Sequence, residues 1–173
     1  MQSRESRSNK PGIRSYVISA AAVIVFLAVA AAAIWHFGGF GYLTLKNEDT
    51  GEVYARYLMR TGEEFSVGFV HSVNKSPVID CYELRDDGIY VVKTIYYGFG
   101  AGVQTELEDG QTLEYGEDGS MIVSGFNRKI SSLIYCVGVV SDHTLTLREE
   151  REISLRDLCG RSSMVRFEFD RIF

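Results

Sequence analysis

A histidine closes an apolar stripe in the segment "EFSVGFVHSVNKSPVIDCYEL". Phe65, Val67 and Phe69 recur at a spacing of two, and His71 takes the next position on the same face. Such alternation marks a half-buried β-strand. An imidazole at that position serves as a general base, a metal ligand, a carboxylate-binding donor or a satisfied structural residue. The next apolar run, residues 78–84, carries an acid, Asp80. If the two runs form a hairpin with His71 opposite Val78, then Phe69 meets Asp80, Val67 meets Tyr82 and Phe65 meets Leu84. His71 and Asp80 become diagonal neighbours, an acid–imidazole pair at the mouth of the core.

Other chemistry-bearing groups are fewer. Ser72 follows His71 directly and so points to the opposite face, which is poor geometry for a serine–histidine dyad; no Gly-x-Ser-x-Gly elbow occurs. "GFGAG", residues 98–102, is followed by acidic "TELEDG" and not by a helix, so it lacks the context of a phosphate-binding loop. Its glycines point instead to left-handed backbone or close approach, at a site rim or at a plain bend. Asp142 and His143 would complete a two-histidine, two-carboxylate metal set only if folding brought them to His71 and Asp80; "SDHT" reads as an ordinary turn, and no metal or cofactor is expected. Cys81, Cys136 and Cys159 allow one disulfide, with Cys81–Cys136 the pair considered, or buried free thiols.

The elements that must hold these residues are short strands. Alternating runs such as "YLTLKN", "VYARYLM", "IYVVKTIYY", "TLEYG", "MIVSG", "SLIYCVGVV", "TLTLRE" and "MVRFEFDRI" are separated by turn signals such as "EDTGE" and "RDDG". Only "SLRDLC" suits a helix, of one turn, with Ser154 as its cap. The pattern predicts an all-β domain of about ten short strands, a single sandwich or flattened barrel.

Ahead of that domain, residues 16–37 hold no formally charged side chain unless His36 is protonated. As a helix they would span roughly 33 Å, enough for a bilayer core. Arg4, Arg7, Lys10 and Arg14 precede them. The expected organisation is a basic cytoplasmic N-terminus (1–15), a single transmembrane anchor (16–37), a glycine-rich hinge (38–41) and an extracytoplasmic β domain (42–173). A cleaved secretory signal is the competing reading. The chain is acidic, with a formal net charge of −5, and its basic residues form no patch interleaved with aromatics. That excludes general nucleic-acid binding.

"FVHSVNKSPVIDCYEL" followed by "YYGFGAGV" resembles a family known as domain of unknown function 1850. The residues that carry the resemblance are His71, Ser72, Val73, Pro77, Val78, Asp80, Tyr96, Gly98, Gly100 and Gly102, with "LIYCVGVVSDHTLTL" and "REISLRDL" further on; it would cover roughly residues 42–170. The resemblance implies an association with TRAP-type transporters that use TAXI-type solute-binding proteins. The expected function is therefore a membrane-anchored, non-catalytic accessory protein of such a transport system, engaging the permease, its solute-binding protein or an organic acid. His71, Ser72, Asp80, Tyr96, Gly98, Gly100 and Gly102 are the expected ligand- or partner-binding residues. The alternatives are an anchored enzyme using the His71/Asp80 pair, or a structural envelope domain.

Overall fold

The computed structural model describes residues 22–30, 32–33, 39–98, 100 and 106–172. The chain divides into two compact units, Met1–Gly38 and Gly39–Phe173. In the first, residues 22–30 and 32–33 are helical, and Val23, Ile24, Val25, Phe26, Leu27 and Val29 are all exposed. No helix among the described residues is long and apolar enough to cross a membrane. The remainder of the anchor expected at 16–37, and the whole basic segment 1–15, lie outside the described residues.

The second unit is all-β, as the alternating runs require. Its described strands are β1 (Phe40–Asn47), β2 (Val53–Arg60), β3 (Glu64–Val70), β4 (Pro77–Arg85), β5 (Gly88–Tyr96), β6 (Thr112–Tyr115), β7 (Met121–Ile130), β8 (Leu133–Cys136), β9 (His143–Leu147), β10 (Arg151–Ser154) and β11 (Met164–Arg171). A single-turn helix, α1 (Leu155–Cys159), sits between β10 and β11 and is capped by the Ser154 side chain, as expected. β1 starts inside the segment expected as a hinge.

Two antiparallel sheets result, one ordered β2-β1-β11-β8 and the other β10-β9-β3-β4-β5-β7-β6. They share one apolar core. Leu43, Leu45, Met59, Val165 and Phe167 come from the smaller sheet, and Phe65, Val67, Tyr82, Leu84, Leu145 and Leu147 from the larger. Each such side chain contributes roughly 1.5–3 kcal/mol on burial, so one shared core dominates the stability of the fold. Period-two alternation produces this directly, because every second side chain of β1, β3, β4 and β11 faces the other sheet.

Two expectations are corrected here. In the β3–β4 hairpin Phe65 pairs with Tyr82, Val67 with Asp80 and Phe69 with Val78, which is shifted by two residues from the expected register. A shift of two preserves the faces but separates His71 from Asp80 along the hairpin. The Cys81–Cys136 disulfide is not formed either, since all three cysteines are free thiols. Cys81 pairs with Ser66 and Lys93 in the larger sheet, whereas Cys136 pairs with Met164 in the smaller one. Burial pushes the Cys81 thiol up to about 11, which keeps it protonated and unreactive.

Candidate functional site

β3 and β9 are neighbours in the larger sheet, with Phe69 opposite His143. Their pairing brings two loops together at one end of the domain: the β3–β4 turn, which starts at His71, and the β8–β9 loop, which ends at His143. Between them lies a cleft of about 540 Å³, lined by His71, Ser72 and Lys75 on one side, by the Gly138–Ser141 loop and His143 on the other, and floored by Phe69. A cleft of that size suits a small molecule or a short peptide segment.

The turn explains what His71 does. Its backbone N–H donates to the Ser76 carbonyl and its carbonyl accepts from Lys75 N–H, each at 2.9 Å. Its Nδ1 faces the backbone N–H groups of Val73 and Asn74 at 3.4 and 3.5 Å, so the ring caps its own turn. Nδ1 thus acts as the acceptor and the proton resides on Nε2. Lys75 closes the turn at φ 54°, in the left-handed region that lysine rarely adopts, a conformation costing about 1–2 kcal/mol.

The facing loop is fixed more firmly. Asp142 accepts from the backbone N–H groups of His143 at 2.7 Å and Arg156 at 3.0 Å, and from the Ser154 hydroxyl. Burial opposes its ionisation, but those hydrogen bonds and the Arg156 charge hold its carboxyl below the usual range. The Arg156 guanidinium also donates to the carbonyls of Val140 at 3.1 Å and Gly138 at 3.4 Å. A Cβ at residue 138 would lie 2.1 Å from the Ser141 carbonyl oxygen, so only glycine lets this loop close.

His143 stacks on Phe69, with centroids 5.4 Å apart, and meets Tyr135 edge-on at 5.7 Å. Its Nδ1 accepts from Gly138 N–H at 3.2 Å, which again leaves the proton on Nε2. Burial, with Arg156 acting in the same direction and Asp142 against it, lowers its pKa below the ordinary histidine value. In both rings, then, Nε2 is the nitrogen left to donate. Neither Nε2 has a hydrogen-bond partner among the described residues. Around the mouth, Val70, Val139 and Val140 are exposed, Val140 at 92%.

Asp80 belongs to a different structure. Its oxygens accept from Thr94 Oγ1 and from the Tyr135 hydroxyl, each at 2.9 Å. Tyr82 and Tyr135 share a further hydrogen bond of 2.6 Å between their hydroxyls. This network joins the two sheets inside the core. Burial first raises both phenols well above the ordinary tyrosine range, followed by Asp80 at Tyr82 and by Tyr82 and then Asp80 at Tyr135, so they remain protonated donors.

The expected site residues thus divide. His71 and Ser72 line the cleft. Tyr96 is buried with Val78, Met121 and Val123 in a small core of its own. Gly98 and Gly100 approach the β3–β4 turn so closely that a Cβ would meet Ser76 at 2.9 Å and Asn74 at 2.4 Å, so they buttress the turn. Gly102 lies outside the described residues. Among the described residues no group of three or more His, Cys, Asp or Glu could hold a metal ion. Lys75, Gly138 and the donor role of His143 went unread: their signals, an "NK" in a turn and "VGVVSDH", acquire meaning only when the loops meet.

Comparison with curated proteins and with solved structures finds no match. The model of a domain of unknown function (DUF1850) matches residues 65–155, a stretch that includes both loops of the cleft, and the chain belongs to that family.

Proposed function

We propose that this member of the DUF1850 family is a membrane-anchored, extracytoplasmic accessory protein that binds rather than transforms, serving a TRAP-type solute transport system of the TAXI class. The carrying observation is the cleft between the β3–β4 turn and the β8–β9 loop, whose polar groups are donors and hydroxyls and whose lining includes no carboxylate. Its exposed valine rim adds apolar surface for a partner protein or an organic acid. Binding is favoured over catalysis because both imidazoles already accept backbone hydrogen bonds at Nδ1 and carry their proton on the side left free. A general base needs the reverse. The acid–imidazole pair that an enzyme reading required is separated. The transport assignment rests on the family resemblance, and the anchor on the uncharged run at 16–37 with its preceding basic residues.

Tagged full-length protein, purified from membranes and analysed by mass spectrometry, tests the reading. A multi-span permease or a solute-binding protein should accompany the wild type and be lost from a Val139→Asp/Val140→Asp variant. Recovery of biosynthetic enzymes, or of identical partners with both proteins, would overturn it. The topology is checked separately: an alkaline phosphatase fused after Phe173 should be active, and a fluorescent protein that folds only in the cytoplasm should stay dark.

A further inference from the structure

We infer that the cleft is a site for a carboxylate carried on an apolar body, with His71 Nε2, His143 Nε2 and the Lys75 ammonium as its donors. This deepens the binding reading above and rests on the cleft being the binding surface. The lining supplies one formal positive charge, Lys75, two imidazole N–H donors and the hydroxyls of Ser72 and Ser141. Both ring tautomers are set by backbone amides, so both donors are present before any ligand arrives. No acid is among the lining residues, and Asp142, beside His143, is occupied by Ser154 and two backbone amides, with its charge offset by Arg156.

Ligand charge follows from the count of cations. One ammonium balances one negative charge, and the remaining walls are Phe69, Val70, Val139 and Val140. A doubly charged phosphate would bring a surplus charge into apolar surroundings. A monocarboxylate with a hydrocarbon portion matches both the donors and the walls. The left-handed backbone at Lys75 is an independent sign, since strain of this kind at a cleft rim persists where the side chain is needed. The carboxylate comes either from a free organic acid or from the C-terminus of a protein ending in an apolar residue.

The chain has three histidines, so full-length protein labelled with ¹⁵N-histidine in lipid nanodiscs gives a spectrum simple enough to assign. His71→Asn and His143→Phe identify the signals; asparagine preserves the turn-capping acceptor and phenylalanine preserves the stack. Butyrate should shift both imidazole signals saturably, and Lys75→Met should weaken that response about tenfold, the loss of one charge-assisted hydrogen bond. Butyramide, acetate and inorganic phosphate should each bind at least about tenfold more weakly. A butyramide or phosphate response as large as a measurable butyrate response, or no response at either histidine to any carboxylate, the peptide acid included, would overturn the inference. A peptide ending in a free-acid valine is compared with its C-terminal amide. If only the peptide acid binds, the carboxylate chemistry stands and its source is a protein terminus. Carboxylate binding without a transport partner would uphold this inference against the transport reading; transport partners without carboxylate binding would do the opposite.

Discussion

Asp80 and His71, linked on paper by strand alternation, belong to two regions with opposite designs. Around Asp80 both carboxylate oxygens accept hydrogen bonds, and the Tyr135 hydroxyl between Asp80 and Tyr82 is engaged on both sides. Around His71 and His143 each ring has one nitrogen committed to the backbone and the other without a partner among the described residues. The first region closes on itself and serves the fold. The second leaves donors over, which the proposed binding role would use. A titratable group in a half-buried place is informative only once its hydrogen-bonding capacity has been counted against its partners.

Breaking the closed region should have the largest effect. Asp80→Ala orphans the Thr94 hydroxyl and one side of Tyr135, and should cost about 2–3 kcal/mol in denaturant unfolding, with little change in butyrate affinity per folded molecule. A loss below about 0.5 kcal/mol would remove the contrast. Gly138→Ala comes next, since the added methyl collides with the Ser141 carbonyl. It should cost about 1–3 kcal/mol and abolish ligand-induced shifts at His143. Lys75→Asn goes the other way: asparagine tolerates the left-handed backbone, so the melting temperature should rise, by the equivalent of about 0.5–1 kcal/mol, while butyrate binding weakens.

The smallest effect concerns pH. His143 has its folded-state pKa below the ordinary value of 6.5, chiefly through burial. Above about pH 6.5 the ring is neutral in both states and its contribution is complete. As pH falls from there towards the lower folded value, the unfolded chain takes up a proton that the folded chain resists, and stability declines. The melting temperature of the wild type should fall more between pH 7.5 and 5.5 than that of His143→Phe. Parallel slopes would show that the ring is not held neutral.

Alternation made the strands legible, and with them the all-β class, because facing is a property of single residues. It fixed only the parity of the β3–β4 pairing. The register was set by turn chemistry that alternation does not encode: the His71 ring capping the amides ahead of it, Lys75 in the left-handed region, and Pro77 opening β4, where its missing N–H is harmless. The cleft was less legible still. His71 and His143 both stand out in the sequence, but their meeting depends on β9 lying beside β3, a pairing between segments far apart in the chain. The Cys81–Cys136 pair failed for the same reason, since nothing local assigns two strands to different sheets.

β11 is the last strand described, yet it lies inside the smaller sheet between β1 and β8. Its residues pair with β1 from Gly41↔Arg171 to Asn47↔Val165, and with β8 from Met164↔Cys136 to Phe167↔Leu133. During synthesis, β1 and β2 therefore leave the ribosome as a two-stranded ribbon, and β8 waits without any partner. A ribbon of that kind is marginal in water. The half-built domain exposes the faces that Val165 and Phe167 will cover until β11 emerges, so this is an interval in which the nascent chain needs protection from aggregation.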